Sequence, residues 1–155
     1  MPDNKVNLKG VLRIWTHDGK TGKELSFEER KNLIVTAGKE SIARRMIGDT
    51  TKANTSEYTF GAVGIGTNAP AVGDTQLQTE IFRKLFAIRT RSVNKAIFRL
   101  FLATGEANGA LKEFAIFGEE ATVTPDSGTM MNRVNIDKVK TSDITLTLEA
   151  EITVG

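Results

Sequence analysis

FGAVGIGTNAPAVGDTQLQTEIFRK, residues 60–84, offers the clearest candidate for a ligand-binding loop. A glycine- and threonine-rich run from a strand into a helix is how many phosphate cradles are built. A Walker loop needs a glycine, four residues, then Gly-Lys-Ser/Thr, because the lysine reaches the phosphates and the hydroxyl binds magnesium. Gly-Lys-Thr occurs only at Gly19–Lys20–Thr21, in a turn and without the upstream glycine. A Rossmann fingerprint fails too: Gly61, Gly64 and Gly66 have the wrong order, sit within a strand and are not embedded in βαβ units. The alternative is structural. Glycines within a strand mark bulges or close backbone approach. GTNAPAVGD then reads as a surface loop and DTQLQTEIFR as the opening of a short helix or turn. Thr75 and Gln78 have capping-box spacing, and Glu80 and Arg83 pair across one turn.

Other candidate chemistry is sparse. Ser92 and Lys95 match a Ser-x-x-Lys nucleophile pattern, but inside a hairpin turn and without the Ser-Asp-Asn partner. His17 is the only histidine and there is no cysteine. Thiol catalysis, disulfides and cysteine-based zinc sites are thereby excluded, and a catalytic triad would have to use His17 without a nucleophile elbow. DGKTGKE lacks the acidic ladder of a calcium loop. Glu113, Glu119, Glu120 and Asp126 are candidates for the paired carboxylates of a hydrolase only by proximity in sequence. Neither a cofactor nor a metal site is expected.

Charge patterning is more informative. Between Ile81 and Gly105 no acidic residue occurs, whereas Arg83, Lys84, Arg89, Arg91, Lys95 and Arg99 are all basic. If Arg89 and Arg91 lie on one strand and Lys95 and Arg99 alternate along the next, an antiparallel pair could present one basic patch. That patch reads either as a solvated sheet face or as a docking surface for an acidic partner. Nucleic acid is disfavoured, since no stacking aromatics interleave the basic positions. Trp15, on an otherwise polar strand face, is a second contact candidate, because aromatics are enriched at interfaces. The net charge of +2 gives no global drive towards nucleic acid or membrane. No apolar run approaches the ~20 residues of a membrane span, and the polar opening MPDNKVNLKG carries no expectation of secretion.

The chain that carries these side chains reads mostly as strands. ITLTLEAEITV, residues 144–154, alternates strictly between an apolar and a polar face. VNLKGVLRIWTH puts Leu8, Leu12 and Ile14 on one face and Lys9, Arg13, Trp15 and His17 on the other. HDGKTG then supplies a turn, so residues 1–31 read as an N-terminal hairpin. Residues 32–49 change period. Ile42 with Met46 and Ala43 with Ile47 make a helical stripe, with Thr36 or Ser41 as cap and Gly48 at the C′ position. Residues 57–154 read as a β core: YTFGAVGI, LFAIRTRSV, AIFRLFLAT, LKEFAIFG, TMMNRVNI and the final strand. NTSE, SVNK, GEANG, TPDSG and KTSD are the turns between them. The expectation is one domain, mainly β, a sandwich or barrel of about eight strands with one main helix packed against the sheet.

Several of these segments, in this order, resemble a diffuse group of tailed-bacteriophage virion proteins. NLIVTAGKESIARRMIG is similar to that group's Asn-Leu-Ile opening and helix. AVGIGTNAPAVGDTQLQTEIFRK is similar to its Gly-x-Gly…Pro…Asp-Thr…Glu…Arg segment. LKEFAIFG and GTMMNRVNIDKVKTSDITLTLEAEI resemble its closing strands. The resemblance covers most of residues 32–154. It implies a non-enzymatic virion subunit, first a homotrimeric capsid decoration protein bound to the major capsid protein, or otherwise a tail, neck or fibre accessory protein. Such a subunit is assembled in the host bacterial cytoplasm. Gly38, Gly64, Gly66, Pro70, Asp74, Glu80 and Arg83 would carry over as structural positions, and no catalytic residue does.

Overall fold

The computed structural model describes residues 6–52 and 57–155; most of the expected NTSE turn lies outside them. Nine strands form: β1 (Leu8–Asp18), β2 (Glu24–Ile34), β3 (Tyr58–Gly64), β4 (Glu80–Leu85), β5 (Ile88–Ser92), β6 (Lys95–Leu102), β7 (Gly109–Gly118), β8 (Thr129–Lys140) and β9 (Ile144–Val154), with one helix, α1 (Thr36–Met46), after β2. All pair antiparallel in one sheet ordered β4-β3-β7-β8-β2-β1-β9-β6-β5. The sheet is curled into a half-barrel. The mainly β expectation holds, with one strand more than about eight.

The curl has a visible cause. β2 holds β8 through only Leu33 and Ile34, opposite Arg133 and Asn132, while the rest of it, from Glu24 to Asn32, follows β1. The sheet therefore folds over at that corner. β2-β1-β9-β6-β5 makes one half and β4-β3-β7-β8 the other. Between them sit the inward faces that the alternation supplied: Leu12 and Ile14, Leu100 and Leu102, Leu146 and Leu148, against Val63, Phe114, Ile116, Val134 and Ile136, all buried. The two terminal strands, β4 and β5, are consecutive in sequence. The link Phe86–Ala87 spans the gap, donating backbone hydrogen bonds to Thr59 O at 3.0 Å and Arg99 O at 2.9 Å. Phe86 also plugs the core against Phe98.

Local signals formed as their chemistry dictates in the β1–β2 turn and at the end of α1. Asp18 Oδ1 accepts from the backbone of Lys20 at 2.9 Å and Thr21 at 2.8 Å, which closes the β1–β2 turn. Gly48, at φ +69°, donates to Arg45 O while Asp49 donates to Arg44 O, a Schellman ending. The start of α1 differs from expectation. Neither Thr36 nor Ser41 caps it; the N-cap is Val35, and the Thr36 N–H is satisfied by Val72 O at 2.8 Å. The buried stripe differs too. It runs through Gly38 and Ser41, with Met46 and Ile47 more than 80% exposed. The helix lies too close to β8 for large residues: a Cβ on Gly38 would stand 2.6 Å from Met131 O.

Residues 80–85 are a strand, where a helix or turn was expected. Glu80 and Arg83 still meet, by another route. Three residues apart on a regular strand they would point to opposite faces. Val63 pairs with Phe82 but Gly64 pairs with Glu80, so a bulge at Ile81 brings both side chains to one face.

Candidate functional site

The glycine-rich segment grips a carboxylate of its own chain. Glu113, on β7, is fully buried on the outward face of the sheet. Its two oxygens accept from the backbone of Gly66 at 2.7 Å, Gln78 at 2.8 Å and Thr79 at 2.9 Å. The Arg133 guanidinium of β8 donates to it at 3.1 Å. Gly64 and Gly66 are glycine because the chain passes so close: an added Cβ would lie 2.3 Å from Thr79 O at the first, and 2.4 Å from Glu113 Oε2 at the second.

Arg133 extends the clamp. It donates to Asp74 Oδ2 at 2.9 Å and to Asn68 Oδ1 at 2.5 Å, and Pro70 lies beside it. Asp74 in turn accepts from Ala71 N at 2.8 Å. The 65–79 loop is thus pinned from both ends and the middle over Phe60, Ala62, Leu77, Ala115 and Phe117, a second small core. Chemically the site is saturated. Buried carboxylate and guanidinium are each satisfied several times over, as buried charges must be.

Arg83 belongs to a second clamp. Its side chain is only 2% exposed, so the expectation that it contributes to a docking surface is corrected. It forks onto Glu80 at 2.8 Å twice, donates to Thr122 O and Ser127 O at 3.0 Å, and lies over the Phe117 ring at 4.5 Å. It ties the 119–128 loop to β4. Glu119 opens that loop and accepts from Arg44 Nη2 at 2.6 Å. Burial raises its pKa, but the paired Arg44 guanidinium, with the hydroxyls of Ser41 and Thr129 nearby, outweighs that and holds the carboxyl below its ordinary value. Lys140 closes a third clamp, donating to Thr104 O, Asn108 Oδ1 and Thr141 O at 2.9–3.1 Å.

The four carboxylates considered for hydrolysis therefore do not converge. Glu113 serves the loop, Glu119 serves Arg44, and Glu120 faces Lys52 at 3.9 Å. Asp126 uses its backbone N–H on Glu80 at 3.3 Å. Among the described residues no group of three or more His, Asp or Glu side chains could hold a metal ion.

The single basic patch does not form. In the β5–β6 hairpin Arg89 pairs with Phe98 and Arg91 with Ala96. The two-residue turn at Val93–Asn94 sets odd positions of β5 against even positions of β6. Arg89 and Arg91 thus share a face with Phe98, while Lys95 and Arg99 share the opposite one. Arg99 meets Glu149 at 2.6 Å and Lys95 meets Glu151 at 3.1 Å. Lys84 is bonded to Glu106 at 2.8 Å. The outer acids of β9, visible in the sequence as Glu149 and Glu151, neutralise the neighbouring cations.

Trp15 lies half-buried on the outward face of β1, its ring 5.2 Å from that of Phe27 on β2. Register places Phe27, Trp15, Thr147 and Phe101 in one row across four strands. Phe27 is 51% exposed, and Leu25 and Phe101 are also exposed. The next row is Glu29, Arg13, Glu149 and Arg99, alternating in sign and bonded across the strands.

Neither a family model, nor a curated protein, nor a solved structure matches the chain. What fold and clamps define is a structural class: an antiparallel half-barrel whose long loops are locked down by buried charge.

Proposed function

We propose that the chain is a non-enzymatic structural subunit of a tailed-phage particle, a decoration protein that docks on the capsid lattice through the outward face of β2-β1-β9-β6. The observation that carries the docking mode is the aromatic row of Phe27, Trp15 and Phe101 beside a self-neutralised charged row. Apolar centre and polar border are the anatomy of a protein interface, and a half-buried Trp15 beside the exposed Phe27 supplies the aromatic surface that interfaces favour. The clamps support the same reading. They consume the buried ionisable groups in fixing loops, which makes a rigid block. The particle itself is inferred from the resemblance of residues 32–154 to virion proteins. The mechanism is mechanical: many copies each bury a standard interface of ~1,600 Å² in total, and placement on a repeating lattice makes individually weak contacts hard to undo.

The test has two parts. Light scattering on the purified protein should give a trimer that Trp15→Ala or Phe27→Ser converts to monomer or deprives of lattice binding. Quantitative mass spectrometry of purified particles should find hundreds of copies. A dozen or fewer would move the subunit to the tail or neck, and none would remove it from the virion.

A further inference from the structure

The half-barrel is open at one end, between β5 and α1. The mouth is a groove of about 780 Å³. Its floor is apolar, formed by Ile42, Phe86, Phe98, Met131 and Ile152. Its charged lining is unbalanced among the described residues: Arg45, Arg89 and Arg91 against one acid, Glu57. Glu57 is engaged by Arg89 at 2.8 Å, and Arg91 donates to Val93 O at 2.8 Å. Arg45 lies 5.3 Å from the Tyr58 ring centroid, and its Nη2 is buried without a hydrogen-bond partner among the described residues. A buried donor left unbonded is costly, and a carboxylate is the group that satisfies a guanidinium best.

β5 borders this groove and is a terminal strand of the sheet, so one of its backbone edges has no neighbouring strand among the described residues. All five of its residues are exposed. Such an edge pairs readily with another extended chain. A polypeptide can use that edge and a lipid tail cannot. An added strand would alternate its side chains, one set towards the apolar floor and the other towards solvent.

We propose that the groove receives an extended acidic–apolar segment of a partner protein, added beside β5, with a carboxylate on Arg45 and Arg91 and apolar side chains on the floor. The proposal is independent of where the subunit sits in a particle, and it uses the face opposite to the aromatic row.

The full-length protein should be panned against a displayed library of random short peptides. Enriched sequences should alternate apolar residues with Asp or Glu. In fluorescence titrations with a synthetic copy, Arg91→Gln and Arg45→Gln should each weaken binding at least about tenfold. Lys95→Gln, on the other face, should leave it unchanged, and Glu57→Gln should tighten it. N-methylation of alternate peptide nitrogens should also cost at least about tenfold, because it removes strand pairing. Arg91 is exposed, so its variant remains informative if Arg45→Gln does not fold. No enrichment, enrichment without acidic residues, or affinity indifferent to Arg91→Gln overturns the proposal. So does retained affinity of the N-methylated peptide, or tight binding of sodium laurate with no peptide enriched.

Discussion

Arginine does opposite things on two sides of this molecule. Over the β4-β3-β7-β8 half, Arg133, Arg83 and Arg44 are sheltered and bonded to carboxylates and loop carbonyls. At the mouth, Arg45 keeps a buried nitrogen without an acceptor and Arg91 faces no carboxylate among the described residues. The first arrangement closes on itself. The second leaves donors unanswered among the described residues, which is where the proposed partner segment would act. The count of basic residues in a segment therefore says little; which of them the fold has already answered decides where a partner can act.

The comparison can be broken most severely at Glu113. Glu113→Ala leaves the buried Arg133 with only Asp74 as counterion among the described residues and strands three backbone N–H groups. A loss of roughly 3–5 kcal/mol in urea unfolding is expected, the cost of removing one member of a buried pair. A change under about 1 kcal/mol would mean that water replaces the carboxylate, and that the pinned half is looser than its geometry.

Strand alternation, the Asp18 turn, the Gly48 ending and the close-approach role of Gly64 and Gly66 follow from local rules, and local rules read well. Glu113 had a signal, an acid in the otherwise apolar run EFAIFG, but its meaning depended on Arg133 arriving from β8. β4 was missed because its bulge gives EIFRK the three-residue spacing of a helical pair. The basic patch was misplaced because a two-residue turn shifts register by one position, which reverses faces. Nothing within either strand states that shift.

A smaller break lies at Gly64. Gly64→Ala puts a methyl against the fixed backbone oxygen of Thr79, and about 1–3 kcal/mol of destabilisation is expected by thermal or urea melting. Limited proteolysis should then cut first within 65–79. Equal cutting elsewhere would show that the loop is not held as a unit.

Acid sharpens the contrast further. The Glu119 carboxyl titrates below its ordinary value of 4.5 in the folded chain. The unfolded chain therefore binds more protons in the window below that value. The Glu119 contribution is complete above the unfolded pKa and is lost as pH falls through the folded one. Arg44→Met should lower stability at neutral pH and flatten this acid limb. Parallel pH–stability curves for the two proteins would sink the assignment.

The smallest effect should have the opposite sign and belongs to the rim of the mouth. Val93, in the β5–β6 turn, has φ +53° and is 82% exposed. A β-branched residue there is strained by about 1–2 kcal/mol, and so exposed a side chain has little packing to lose. Val93→Gly relieves that strain but adds freedom to the unfolded chain, which offsets about 0.4–1 kcal/mol. Val93→Asn tolerates the same backbone without that offset. Both should therefore raise the melting temperature, Asn at least as much as Gly. If both instead lower it, the valine is covered by something in solution, and the rim, unlike the pinned half, is already an interface between copies.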